Sequence, residues 1–372
     1  MQFKDVIGHD TLKKQFIQEV NDDHISHAQL FLGKTGYGSL SLALAFVQYI
    51  FCENKESHDS CGTCASCRKI SALQHPDVHF SFPTVQAISK LSDEQFPEWK
   101  KLVEEEPNFS LNDWISYSDP KGRKPILSVH QSQEIIKKLS LKSFEGNYKV
   151  SIIWMAEEMN QGCANKLLKI IEEPPAKTLF ILIAENQEVI LPTILSRTQL
   201  VKVKPISDQE MEKYLVNKGI QDDELKKSIV ARSEGNARLA KELASGEKAN
   251  NQNRTDFIQL MRICYKKEVL PMLDWAEKMG NYGREDQKNF LLYALYMIRQ
   301  SLMKNYTEEQ LMRASAEEVT FLQRFSRFIT NNNVQDFTQL FNDAHYYVER
   351  NAHAKLLFTN ITFEVMRYIH RA

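Results

Sequence analysis

Four of the six cysteines fall between Cys52 and Cys67, at positions Cys52, Cys61, Cys64 and Cys67, in the spacing C-x8-C-x2-C-x2-C. Four thiolates so spaced suit the tetrahedral, soft-ligand preference of Zn²⁺, and two overlapping Cys-x-x-Cys steps in a Gly/Ser-rich stretch argue against chance clustering. His58 is an alternative ligand. No water-activating carboxylate or imidazole accompanies the thiols, so the predicted centre is closed and structural rather than catalytic. The other two, Cys163 and Cys264, read as small core residues.

A second constellation is defined by what it lacks. Gly33-Lys-Thr-Gly-Tyr-Gly-Ser39-Leu40 has the glycine frame of a phosphate-binding loop, G-x-x-x-x-G-K-[ST], with Gly33, Gly36 and Gly38 available for a tight turn. In a working loop the backbone N–H groups cradle phosphate, the Lys neutralises it and the hydroxyl holds Mg²⁺. Here Ser39 stands in the place of the Lys and Leu40 in the place of the hydroxyl, while Lys34 lies at the wrong end of the loop. Nucleotide hydrolysis also needs carboxylates at the end of a neighbouring strand. The candidate strand, Val150-Ser-Ile-Ile-Trp154-Met155-Ala156, carries Trp154 and Met155 there, and Glu157 and Glu158 lie beyond its end. The sequence therefore predicts no ATP binding, although the helix N-terminus after Gly38 keeps backbone donors that could hold a bare anion weakly.

The elements that would position these residues follow from periodicity. Apolar runs at 29–32, 78–82, 150–155, 178–184 and 200–203 read as strands, separated by helical patterns such as 40–51 and 161–173, the latter stopped by Pro174-Pro175. Strands apolar on both faces and alternating with helices imply a parallel α/β sheet. We read residues 1–205 as this core, with the cysteine module at about 52–67, then 206–247 as a small helical domain and 250–372 as a third, wholly helical domain. The polar run 247–254 reads as a linker, and 83–126, which carries Trp99 and Trp114, reads as an insertion without an assigned role.

Tyr148-Lys-Val-Ser-Ile-Ile153, Asn165-Lys-Leu-Leu-Lys169, Glu172-Glu-Pro-Pro175 and Leu191-Pro-Thr-Ile-Leu-Ser-Arg-Thr198 resemble the AAA+ subunits of bacterial clamp loaders. The resemblance extends from Val6-Ile-Gly-His9 to Arg350-Asn-Ala-His-Ala-Lys-Leu-Leu357 and is weakest over the insertion and residues 250–345. It implies a P-loop AAA+ core with an inserted zinc module after the loop helix, a helical lid at 206–247 and an all-α collar at 250–372. In its register Trp154 and Met155 occupy the places of the family's Asp-Glu pair. Ser196-Arg197-Thr198 resembles its Ser-Arg-Cys motif, so Arg197 would act in trans as an arginine finger for a neighbouring subunit. Arg238, in Gly235-Asn-Ala-Arg238, resembles a sensor that touches nucleotide in cis, although an ion-pair role fits as well. A chain of this type would be a non-catalytic partner of delta and gamma/tau subunits, acting on the sliding clamp and primed DNA through the complex.

Charge narrows the alternatives. With 47 basic and 48 acidic residues the net charge is -1, so no global field recruits nucleic acid. That counts against an independent zinc-dependent DNA-binding module, while Ser39, Leu40, Trp154 and Met155 count against an ATP-hydrolysing gamma/tau-like motor. The N-terminus has no basic and apolar leader pattern and no apolar run reaches membrane-spanning length, so the expected setting is cytoplasmic, with no membrane partner.

Overall fold

The computed structural model describes all residues except 120, 146–147, 246, 307–313, 315, 351 and 372. Pro120 of the insertion, Gly246 and Asn351 of the C-terminal motif thus lie outside the described residues. The chain divides into two compact units, Met1–Tyr214 with Glu234–Leu239, and Leu215–Ser233 with Ala240–Ala372. The stretch 206–247 is therefore shared between them.

The first unit is built on five parallel strands: β1 (Ala28–Leu32), β2 (Val78–Ser81), β3 (Lys149–Trp154), β4 (Thr178–Ala184) and β5 (Gln199–Lys202), in the order β2-β3-β4-β1-β5. Alternate side chains of the inner strands enter different cores, because successive residues of a strand point to opposite faces. Val150, Ile152 and Trp154 of β3 join Leu179, Ile181 and Ile183 of β4 on one side. Ile153, Phe180, Leu182 and Ala184 face the other, against Cys163, Ala164, Leu167 and Ile171 of the helix Gln161–Glu172. The near-continuous apolar strands are thus the consequence of a sheet covered on both faces.

The helix Ser39–Phe51 is buried along its whole length, which explains why its sequence, Ser-Leu-Ser-Leu-Ala-Leu-Ala-Phe-Val-Gln-Tyr-Ile-Phe, has almost no charged face. It runs straight from the glycine loop into Cys52, so one helix joins the loop to the cysteine module.

The insertion is an integral part of this core. Its base is closed by a two-way backbone bridge between Thr84 and Ile126, with N–O distances of 3.1 and 2.9 Å. Trp99, on the helix Phe96–Glu105, stacks on Phe82 at 4.8 Å, and Trp114, on the helix Leu111–Ser118, donates its indole N–H to the Pro83 carbonyl at 2.7 Å. Both indoles are fully buried.

The second unit is helical. Trp275, Phe290 and Phe358 pack edge to face from the helices Val269–Gly280, Arg284–Tyr306 and Ala354–Ile369. Arg232, on Asp223–Ser233, lies over Tyr293 at 5.0 Å, and Glu318 accepts the hydroxyls of Tyr293 and Tyr296. The expected linker at 247–254 is a correction, since it begins the helix Glu247–Lys266. That helix sends Asn253 and Asp256 into the core, where Asp256 accepts from Lys278 at 2.6 Å and Tyr282 at 2.9 Å. Asn253 and Asp256 are the first buried positions among its described side chains, and Phe257, Leu260 and Met261 follow them into the core.

Candidate functional site

The glycine loop lies between β1 and the buried helix, with Gly38 capping that helix at φ 92° and the His9 ring donating to the Tyr37 carbonyl at 2.6 Å. Burial holds the His9 imidazole below its ordinary range. Gly36, at φ 86°, lies so near the Asn236 side chain that a Cβ would overlap it. Only glycine meets both demands. Asn236 in turn donates its amide to the Thr35 carbonyl at 3.0 Å, and the Ala237 N–H donates to the Gly36 carbonyl at 2.8 Å. The Gly235-Asn-Ala-Arg238 motif is thereby fastened to the loop by backbone and side chain.

Ser39 and Leu40 are both buried, and no cation or exposed hydroxyl stands at their positions. Trp154 and Met155 are also in the core, 3% and 4% exposed, and the Phe109 ring lies 4.7 Å from the Trp154 ring. Pro107, Asn108 and Phe109 of the insertion, together with Trp154, Met155, Ile183 and Glu185, close over the glycines and leave a cavity of about 30 Å³. That is room for a water or two, not a phosphate. Residues of the insertion, distant in sequence, thus line the space beside the helix N-terminus at Gly38.

The carboxylates past β3 are directed elsewhere. Glu158 pairs with Lys124 at 3.0 Å. Glu157 accepts the Glu185 N–H at 2.7 Å, its other carboxyl oxygen is buried without a partner, and burial pushes its pKa up to about 7. A carboxyl that resists ionisation is a poor Mg²⁺ ligand. Glu185 itself takes a hydrogen bond from the Thr35 hydroxyl.

Arg238 forms a two-pronged ion pair with Asp113 of the insertion, with the Nη2–Oδ1 distance 3.0 Å. Burial alone would raise the Asp113 pKa, but the Arg238 guanidinium and the Ser110 hydroxyl and N–H bring it below the usual carboxylate value. Arg197 makes other contacts. Its Nε donates to Glu172 at 2.9 Å and its Nη1 to the Thr193 carbonyl at 3.1 Å, with the side chain still 32% exposed.

The four cysteines converge. The Sγ atoms of Cys52, Cys61, Cys64 and Cys67 all lie within 4.8 Å of one another, and Cys61 and Cys67 are 4.0 Å apart. Zn–S bonds of about 2.3 Å in a tetrahedron separate sulfurs by roughly 3.8 Å, so the set fits zinc with small adjustment. Three backbone N–H groups point at the sulfurs: Cys61 to Cys52, Cys64 to Cys61 and Cys67 to Cys64, at 3.2, 3.3 and 3.4 Å. Donors from Thr63 and Cys64 hold the Cys61 thiol down to about 6, whereas burial pushes Cys52 and Cys67 up. His58 is exposed and is not part of the cluster.

An all-parallel sheet in this strand order, a glycine loop feeding a buried helix, and a loop stripped of its cation and Mg²⁺ ligands define an AAA+-type core with a degenerate nucleotide site. A structural four-cysteine centre and a helical C-terminal region accompany it. A family model described as "DNA polymerase III, delta subunit" matches residues 8–207, and the chain belongs to that bacterial clamp-loader family. Among curated relatives it is 26% identical to DNA polymerase III subunit delta' of Bacillus subtilis (strain 168) over 255 residues, 68% of this chain and 64% of that one. It is 25% identical to subunit delta' of Escherichia coli (strain K12) over 284 residues, 76% and 72% of the two chains. Subunit tau of Bacillus subtilis (strain 168) is 27% identical over 208 residues, 56% of this chain and 30% of that one. The chain thus spans just under two thirds of the first of these relatives. No helix among the described residues is long and apolar enough to cross a membrane.

Proposed function

We propose that this chain is the delta-prime subunit of a replicative clamp loader. It binds no ATP itself, assembles with delta and gamma/tau subunits in the cytoplasm, and helps place the sliding clamp on primed DNA. Its contribution to the chemistry is Arg197, offered in trans to the ATP site of the adjacent subunit. The observation that carries this reading is the contrast within one core: Trp154, Phe109 and Asn108 line a small space at the chain's own degenerate phosphate loop, while the Arg197 side chain is 32% exposed. Relatives named delta' on one side and tau on the other make the non-hydrolysing member the better match to a degenerate loop.

A guanidinium suits the task because its planar fork can grip two phosphoryl oxygens as charge spreads over them. The test is reconstitution with the delta and gamma/tau subunits of the same cell. Arg197→Ala should leave assembly and zinc content intact and lower clamp-dependent ATP turnover. An unaltered loading rate would reduce the chain to a structural wall, and loss of assembly would mean that Arg197 serves an interface ion pair instead.

A further inference from the structure

The insertion closes the phosphate loop and also supplies the carboxylate that Arg238 holds. Both contacts come from one short segment, in which Pro107, Asn108 and Phe109 lie over the glycines and Asp113 follows on the first turn of the helix Leu111–Ser118. Two buried polar atoms lining the remaining cavity, Ser39 Oγ and Asn108 Oδ1, have no protein partner. With about 30 Å³ between the walls, a water is the ligand whose size and two-way hydrogen bonding fit both.

We propose that residues 107–113 are the resident occupant of the degenerate nucleotide pocket. Phe109 fills it against Trp154, and the Asp113 carboxylate takes the place of an anionic ligand for Arg238. The consequence is mechanical. The segment Glu234–Leu239 is held to the phosphate loop by Ala237 N–H to Gly36 O and Asn236 to Thr35 O, and to the insertion by Arg238 to Asp113. A part of the chain that would otherwise respond to nucleotide is fixed in one arrangement by covalently attached residues. This deepens the reading of a chain that uses no ATP, and it gives the insertion a role that the sequence alone did not.

The Asp113 carboxylate also caps its own helix, accepting the Ser110 N–H at 2.6 Å, so the experiment must separate the cap from the ion pair. Hydrogen–deuterium exchange on the purified full chain reads both. Asp113→Asn and Arg238→Gln should each accelerate exchange across 235–239 at least ~10-fold, with β4 unchanged, whereas Ser110→Ala should loosen only the start of the Leu111–Ser118 helix. Unchanged exchange at 235–239 in both ion-pair variants overturns the proposal, as does equal loosening by Ser110→Ala. Calorimetric titration of the wild-type chain with ADP and with inorganic phosphate should show no saturable binding up to millimolar concentration, and saturable binding of either overturns the occupancy. These readouts need no partner subunit, so they stand or fall separately from the role of Arg197 in the assembled loader.

Discussion

Arg197 Nε donates to Glu172 Oε2 at 2.9 Å, across a pair in which Arg197 is 32% and Glu172 56% exposed. Glu172 closes the helix Gln161–Glu172, just before the Pro174-Pro175 stop, so the pair ties the two motifs that most clearly marked the family in the sequence. A solvent-exposed pair of this kind contributes about 0 to 1 kcal/mol. Arg197→Ala should therefore leave the urea unfolding midpoint of the isolated chain nearly unchanged, with a loss under about 1 kcal/mol. A much larger loss would show that the arginine is a structural residue and would weaken its assignment to a neighbour. Arg197→Lys should keep the charge and restore ATP turnover in the reconstituted loader only in part, because an ammonium lacks the planar fork.

The zinc centre yields an independent expectation. The purified, undenatured chain should contain one zinc per molecule by metal analysis, and Cys64→Ser should lose it. Cys64 is both a thiol of the cluster and the N-cap of the helix Ala65–Ser71, where its sulfur accepts the Cys67 N–H. Its loss should unfold residues 52–71 locally while the sheet persists, visible as fast amide exchange confined to the module. Full zinc content and unaltered stability in Cys64→Ser would remove the centre as described.

Much of this site was legible because its signals are local. The cysteine spacing, the glycine frame and the strand ending in Trp154 and Met155 each lie within a short window, and the sheet's two-sided burial writes itself as apolar runs at β1, β3 and β4. The plug was not legible. Asn108 and Phe109 lie some seventy residues from the loop they cover, on a segment whose helix caps and aromatic residues describe only its own folding. The first turns of Glu247–Lys266 were misread for a related reason, because their buried positions include Asn253 and Asp256 and the apolar period is absent. Polar cores satisfied by distant partners such as Lys278 and Tyr282 leave no periodic trace.

Restoring a motif carboxylate should fail on packing grounds. Trp154 is 3% exposed and meets Phe109 at 4.7 Å and Trp99 at 6.3 Å, edge to face in the latter case. Removing a core indole costs about 3 to 5 kcal/mol, and burying a carboxylate in its place adds to the loss. Trp154→Asp should therefore lower the unfolding midpoint strongly without creating Mg-ATP binding. A stably folded Trp154→Asp chain that binds Mg-ATP at micromolar concentration would show that the pocket is closed by one side chain and not by the insertion as a whole.

The last prediction concerns Glu157. Burial holds its pKa at about 7, against an ordinary value of 4.5, with Glu185 and Glu158 pushing in the same direction and the backbone donors of Glu185 and Glu157 opposing it. The folded chain thus binds this proton more tightly than the unfolded chain does. Between pH 4.5 and about 7 the unfolded state releases it first, so the stability contributed by this group falls as pH rises through that window and is lost above the folded pKa. The difference amounts to about 3 kcal/mol once both states are ionised. Glu157→Gln keeps the oxygen that accepts the Glu185 N–H and removes the titration. Urea unfolding of wild type and variant at pH 5, 6, 7 and 8 should give curves that lie close together at the acid end and separate upward, with the glutamine chain the more stable above pH 7. A constant offset across the series would mean that Glu157 is ionised in the folded chain, and the carboxyl beside the phosphate loop would then be a charge that the loop has to accommodate.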